Sequence, residues 1–373
     1  MDRYKVRIVS SREIETLRRR LESAEVAGEG VNIMASKADM VVMRIEGLCA
    51  AAANILKQQL LSLGGDAAVH RQVIQGSPED STAFVIADER RMRKLPERLE
   101  EQPFGLEGLG TEVARMLALR ASPPRSVPLP QRSLDLTQGP VIIGILNVTP
   151  DSFSDGGSYM DPDRALDRAL EMVEEGAGII DVGGESSRPG SRSLPAGEEL
   201  ARVMPVLEKL PGRIDVPISI DTRKSAVART ATQAGASIIN DISGFRDDAE
   251  MTDVARESGA AVVIMHMLGT PETMQEAPSY QNAVAEIIDW LEERIISLTA
   301  AGIERDKIIV DPGIGFGKRL QDNLDIIDRA ADLHTLGSPV MMGFSRKSLI
   351  GTVTGREPRE RTAGGLAALG RSE

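Results

Sequence analysis

The sequence is poor in several residue types on which common chemistries depend. It has one cysteine, Cys49, among 373 residues, so no internal disulfide can form. Three scattered histidines, His70, His266 and His334, cannot build a zinc site of the usual nitrogen and sulfur ligands, so any metal must be held by oxygen. Aromatic residues make up 3 %, too few for the stacking platforms that single-stranded nucleic acids use. A formal net charge of −12 disfavours a nucleic-acid backbone as the main partner. The longest apolar run, 259–269, is interrupted by His266 and falls far short of the ~18 residues of a membrane span. The opening residues MDRYKVR carry charges where a secretion signal needs an apolar core, so a cytoplasmic protein is expected.

What is present is ordinary globular composition, 41 % hydrophobic and 27 % charged. The length suggests two domains, or one large barrel with an extra module. Residues 1–120 carry 18 basic and 18 acidic side chains, so all the excess negative charge lies after them. Between 121 and 140 the text reads ASPPRSVPLPQRSLDLTQGP, whose prolines forbid a helix and whose polarity argues against a core strand. This stretch is read as a linker. Before it, apolar runs at Lys5–Val9, Met40–Ile45 and Phe84–Ile86 alternate with helical patterns at 11–24, 50–63, 89–101 and 107–119. Residues 1–120 therefore predict a small α/β accessory domain, and no catalytic constellation stands in it.

After the linker, residues 141–373 repeat one unit: a short β-branched run, a polar or glycine-containing turn, then a helical segment. Seven strands are expected, at 141–146, 178–182, 217–221, 237–241, 261–265, 307–311 and 339–343. Strands apolar throughout imply a parallel sheet covered by helices. The spacing suits a TIM (β/α)8-type barrel better than a Rossmann sheet, because no G-x-G-x-x-G turn follows the first strand.

In a parallel barrel the chemistry collects at the carboxyl ends of the strands. There this sequence offers Asn147, Asp181, Asp221, Asn240-Asp241, His266, Asp311 and Ser345-Arg346-Lys347. One such Asp is commonly only a helix cap, but seven convergent polar ends are hard to attribute to chance. Asp221, Asn240 and Asp311 with Lys347 opposite supply acceptors, a two-way amide and a cation, a set suited to a flat nitrogen-rich ring. Two glycine-rich loops, NVTPDSFSDGG and GGESSRPG, add an anion site in which Ser187 and Arg188 can grip phosphate oxygens. Asn147 suits Mg²⁺, which keeps its waters and bridges substrate phosphates. Two motifs are set aside. Asn147-Val148-Thr149 matches a glycosylation acceptor but is followed by Pro150, and GIGFGK lacks P-loop spacing. In the latter, Phe316 reads as a pocket wall and Lys318 as a loop cation, or both as mere packing and solvation.

These residues resemble the dihydropteroate synthases. The likeness runs from about Leu134 to Leu369 through GILNVTPDSFSDGG, IIDVGGESSRPG, ISIDT, IINDISG, MHMLGTPETMQ, DPGIGFGK and GFSRKSLIG. It implies a barrel transferase of folate biosynthesis that condenses 6-hydroxymethyl-7,8-dihydropterin diphosphate with 4-aminobenzoate, releasing pyrophosphate with Mg²⁺ present. By matching motif, Asp221, Asn240, Asp311 and Lys347 would hold the pterin, with Asp181 supporting and Met265 lining that pocket. Asn147 would face diphosphate and metal. Ser187, Arg188 and Pro189 would form the aminobenzoate site with Phe316, and Ser345 and Lys347 would close its other side. Arg188 and Lys347 are the catalytic candidates. At Ser187 the family usually has Thr, which keeps the hydroxyl.

The sequence departs from the family at its C-terminus. It ends within what would be the seventh helix, and the Arg-x-His of the family's eighth strand has no counterpart. A barrel lacking its eighth strand-helix unit, in a truncated synthase, is therefore expected. The partners implied are small-molecule substrates and a second copy in a homodimer, with neither nucleic acid nor membrane. A non-catalytic pterin-binding remnant and a methyltetrahydrofolate-dependent methyltransferase are the competing readings.

Overall fold

The computed structural model describes residues 14–149, 161–186, 191 and 193–372. It divides into two compact units, Met1–Ala121 and Ser122–Glu373. The predicted run Lys5–Val9 lies outside the described residues.

The first unit is a three-stranded antiparallel sheet with helices. Strand β1 (Met40–Ile45) pairs with β3 (Ala83–Asp88), which pairs with the short β2 (Asp66–Ala68). Helices α1 (Ile14–Ser23), α2 (Gly28–Ala38), α3 (Ala50–Ser62), α4 (Glu89–Met92), α5 (Leu95–Leu99) and α6 (Leu106–Ala121) complete it. One face of the sheet is apolar and buried: Val41, Ile45, Val85 and Ala87 share a core with Leu56, Leu60, Leu99 and Leu117. The helix expected at 89–101 is two short ones, because Pro96 stands in the first turn of α5, where its missing N–H costs nothing, and cannot lie inside a continuous helix.

The second unit opens with a β-hairpin, β4 (Ser126–Pro128) with β5 (Ser133–Asp135), and then takes up the TIM-barrel-type α/β architecture. Its parallel strands are β6 (Ile143–Asn147), β7 (Ile179–Gly183), β8 (Ile218–Asp221), β9 (Ile238–Asp241), β10 (Ala261–Met265) and β11 (Ile308–Asp311). They stand side by side in sequence order, from β6 at one edge to β11 at the other. Helices α7 (Pro162–Glu174), α8 (Ala196–Leu207), α9 (Ser225–Gln233), α10 (Met251–Ser258), α11 (Ala283–Ala300) and α12 (Leu320–Asp328) alternate with them, and α13 (Ser348–Thr354) and α14 (Thr362–Ser372) close the described chain. Successive strand residues face opposite sides. Ile180, Val182, Ile220, Ile239, Val262, Ile264 and Val310 pack outward with the helices, whereas Ile179, Ile238, Val263 and Ile309 form a separate inner cluster. Both faces are apolar, which is why the strands read as continuous hydrophobic runs.

The structure departs from the expected pattern in two places. The predicted strand 339–343 reduces to a single bridge, Val310 to Val340, held by Val310 N–H to Pro339 O (2.9 Å) and Met341 N–H to Val310 O (2.8 Å). Pro339 has no N–H to offer a ladder, and among the described residues no strand pairs with the other side of this segment or with the free edge of β6. A cavity of about 810 Å³, whose lining includes Ile143, Ile145, Met342 and Leu366, lies along this open seam. The stretch 121–140, expected to be a linker, contains the hairpin β4–β5. Its Val127 is fully buried and, with Leu129, belongs to the inner cluster of Ile179, Ile238 and Ile309. Pro128 ends β4 without preventing it, and Val127 and Leu129, alternating with the less buried Ser126, Pro128 and Pro130, supply the buried side that overall polarity concealed.

Truncating this plug tests its role. Val127→Ala is expected to destabilise the barrel by about 2 kcal/mol, lowering its thermal midpoint by about 4–8 °C. A change below about 1 °C in a thermal melt would show that the hairpin merely rests on the strand ends.

Candidate functional site

The strand register sets the site. Asn147 is level with Gly183, Gly183 with Asp221, Asp221 with Asn240, and Met265 with Asp311. The inward positions thus change from isoleucine and valine at the floor to carboxylate and amide at the carboxyl ends. Gly183 leaves the space between its neighbours open: a methyl on its Cα would stand 3.4 Å from Asn147 Oδ1 and 3.5 Å from Asp221 Oδ2.

Below this row Asn240 Nδ2 donates to Asp181 Oδ2 at 3.1 Å, which fixes the amide's orientation. The other oxygen of Asp181 is buried and accepts no hydrogen bond among the described residues, leaving an acceptor unsatisfied inside the barrel. Burial raises the Asp181 pKa, with Ser219 and Asn240 opposing. The Asp221 pKa is raised well above the usual carboxylate range, first by burial and then by the nearby charge of Asp181. Asp311 is raised by burial, while the Gly313 N–H, donating to its Oδ1 at 2.7 Å, and the Lys347 charge hold it down. Lys347 is the counterpart: burial lowers its pKa, and Asp311 and Asp221 support the charge. Its ammonium lies 4.1 Å over the Phe316 ring, a cation–π contact. Phe316 packs with Met265, Ile242, Met267 and Met274 in a small buried cluster.

Two buried carboxylates, the half-buried Asp221, an oriented amide and one cation can receive a flat ring with several N–H donors and a carbonyl. Asn147 is exposed across Gly183 from Asp221, and Ser345 is exposed beyond Phe344. Ser187, Arg188 and Pro189 lie outside the described residues, and so do residues 150–160 of the first glycine-rich loop. The residues flanking 187–190 are tied down. Glu185 accepts from Arg223 Nη2 at 2.6 Å, from Lys224 and from Leu194 N–H at 3.3 Å, and Lys224 also reaches the fully buried Glu199 at 2.5 Å.

Two contributors escape the reading of strand ends. Ser219 precedes Asp221 by two residues in β8, so strand alternation alone puts it on the same face. Lys318, for which the sequence leaves loop cation and bystander both open, is 5 % exposed behind Phe316. Asp241 does not share the pocket: it faces the other side of β9 and accepts from Ser243 N–H (2.7 Å) and Phe245 N–H (3.0 Å), capping the following turn. Among the described residues no group of three or more His, Cys, Asp or Glu is arranged to hold a metal, and no helix is long and apolar enough to cross a membrane.

The parallel α/β barrel with a polar row at its strand ends defines the class of architecture, and comparison with known proteins gives the family. The pterin binding enzyme family matches residues 143–372. The chain is 46 % identical over 235 residues to the dihydropteroate synthase of Escherichia coli K12, a match covering 63 % of this chain and 83 % of the relative. It is 40 % identical over 360 residues to a probable bifunctional folylpolyglutamate synthase/dihydropteroate synthase of Halobacterium salinarum, a match that covers 96 % of this chain but 42 % of that longer relative. The structure of the Xanthomonas albilineans dihydropteroate synthase with 4-aminobenzoic acid is similar at 42 % identity and a TM-score of 0.63, over 67 % of this chain and 89 % of that one. The chain belongs to the pterin-binding enzyme family, among its dihydropteroate synthases.

The pKa of Asp221 has a consequence for stability. Below the unfolded-state value of 3.8 the acid is protonated in both states and costs nothing. As pH rises past that value the folded state must ionise a buried acid or hold its proton, so the penalty grows. Asp221→Asn removes it, and is expected to raise the thermal midpoint relative to the parent at pH 7.5 and much less at pH 4.5. A midpoint lowered more at pH 7.5 than at pH 4.5 would contradict the assignment.

Proposed function

We propose that this chain condenses 6-hydroxymethyl-7,8-dihydropterin diphosphate with 4-aminobenzoate to give 7,8-dihydropteroate and pyrophosphate, the dihydropteroate synthase reaction of folate biosynthesis. The observation that carries the reading is the row Asn147, Asp221, Asn240 and Asp311, with Asp181 behind it and Lys347 opposite. Asp221 and Asp311 accept from the amino and ring N–H groups of the pterin, Asn240 pairs with its edge in the orientation that Asp181 enforces, and Lys347 donates to the ring carbonyl or ring nitrogen. Met265 and Phe316 supply apolar walls, with Ser187, Arg188 and Pro189 on the loop side and Ser345 beside Lys347 completing the aromatic amine's subsite.

No nucleophilic side chain is required. The bond between the pterin methylene and the diphosphate oxygen breaks, its electron pair leaving with the diphosphate. The amine lone pair forms the new carbon–nitrogen bond, and the amine's proton passes to water. The buried carboxylates favour positive charge developing on the ring and methylene, and Arg188 and Lys347 hold the anionic partners, so the protein contributes position and charge.

The exposed Asn147 amide oxygen, across Gly183 from Asp221, fits Mg²⁺ that arrives with the diphosphate and keeps most of its waters, a mode needing few protein ligands. When bound, the ion would offset the charge of the leaving diphosphate. The first unit, which carries no such site among its described residues, acts as an accessory domain, and the enzyme works in the cytoplasm as a homodimer.

Dihydropteroate formation by the purified chain, with both substrates and Mg²⁺, tests the reading. Lys347→Met and Arg188→Ala are each expected to lower kcat/KM by about a hundredfold or more. The competing role, pterin binding alone, draws on the open seam between β6 and Val340. It would be supported by a folded chain that binds pterin without turnover, and the synthase reading would then fail.

A further inference from the structure

A buried lysine without a carboxylate partner needs explaining, and among the described residues Lys318 is one. Its ammonium donates to three acceptors: His266 Nδ1 at 3.0 Å, His266 O at 3.2 Å and Phe316 O at 3.0 Å. None is charged. His266 is itself 5 % exposed, with its ring edge-on to Trp290 at 5.1 Å. Burial and the Lys318 charge pull its pKa down to about 2, so it stays a neutral acceptor.

These three bonds join the end of β10 to the glycine-rich loop after β11, and the two run in backbone contact. Gly313 and Gly317 both have positive φ. A methyl on the first would stand 2.0 Å from His266 O and on the second 2.6 Å from Leu268 O, so no larger residue fits. Asn323 accepts from the Gly315 N–H at 2.7 Å and pins the loop from the α12 side. Phe316, at the crest of this loop, carries Lys347 on its ring. The carbonyl of the residue that forms the pocket wall is thus held from behind by one lysine while its ring is capped by another.

We infer that Lys318 is a positioning residue for the aromatic-amine subsite: its ammonium fixes the backbone at Phe316, and so sets the wall against which the aminobenzoate ring and Lys347 are placed. The inference rests on the synthase reading of the site. The lysine is retained at a cost to folding. Burial lowers its pKa to about 7, with Lys347 adding to the shift, while Asp311 at the end of β11 and Asp322 on α12 oppose it. Across the His266 ring, Arg246 stacks on Trp290 at 5.1 Å and contributes a further positive charge.

A double-mutant cycle on the full chain separates positioning from bulk stability. Lys318→Met is expected to raise KM for 4-aminobenzoate about tenfold while kcat and KM for the pterin diphosphate stay within about threefold. Phe316→Leu is expected to raise the same KM. In the Phe316→Leu background, Lys318→Met should add little, because its effect passes through the Phe316 wall. Additive effects in folded variants would overturn the inference. Should Lys318→Met not fold, His266→Leu, which removes the ring acceptor and leaves the lysine, carries the same cycle with the same two outcomes.

A second readout concerns the charge. The folded amine loses its proton near pH 7 and the unfolded one near 10.5, so the penalty for burying the cation is present below pH 7 and is relieved as pH rises. The thermal midpoint of the parent relative to Lys318→Met should climb between pH 6 and pH 9, and a flat difference would count against a buried cation at this knot. Calorimetric affinity for 4-aminobenzoate in the presence of 6-hydroxymethylpterin and pyrophosphate reports the same cycle without turnover. Loss of turnover in the parent with the cycle intact would sink the synthase reading alone.

Discussion

Two carboxylates, Asp221 and Asp311, occupy inward positions at the tops of the barrel strands with Lys347 near them, and a third, Asp181, lies one layer below. Removing Asp181, Asp221 and Asp311 from water raises the pKa of each, and the charge of Asp181 adds to the burden on Asp221. A fold selected for stability alone would place hydrophobic residues there, as it does one layer below at Ile179, Ile238 and Ile309. The surrounding features all bear on holding that polar layer in place: the Asn240–Asp181 hydrogen bond, the Gly313 N–H on Asp311 and the cation–π contact of Lys347 with Phe316. One oxygen of Asp181 in that layer stays without a hydrogen-bond partner among the described residues.

Parallel strands make this arrangement possible because their register brings residues from distant parts of the sequence into one row. A slip of one residue in any strand would turn its carboxylate into the helix layer, where Asp241 already shows what an outward carboxylate does: it caps a turn. The apolar inner cluster beneath, closed from the floor by Val127 and Leu129, keeps the register from slipping. Stability is concentrated below the site and chemistry above it.

Much of this is legible in the sequence because it depends on local periodicity. Six of the seven expected strands form within two residues of the anticipated limits, since a doubly covered strand leaves an apolar run bounded by glycine and polar residues. The row Asn147, Asp221, Asn240 and Asp311 follows from reading strand ends. What fails is non-local. The strand at 339–343 finds no second neighbour among the described residues, the hairpin inside 121–140 gains its buried side only from the barrel floor, and Pro96 divides a helix whose hydrophobic spacing continues across it. The burial of Lys318 is invisible because a lysine beside glycines reads as solvated until the facing strand end is placed against it. The roles of Ser187, Arg188 and Pro189 rest on motif resemblance alone.

The central claim is that the buried carboxylate row is a receptor for a ring rich in N–H donors. Titration calorimetry with 6-hydroxymethylpterin near neutral pH tests it most directly. One ring should bind per chain, and the affinity should fall sharply in Asp311→Asn, which removes a charged acceptor from the row. Binding of unchanged strength in that variant would contradict the account.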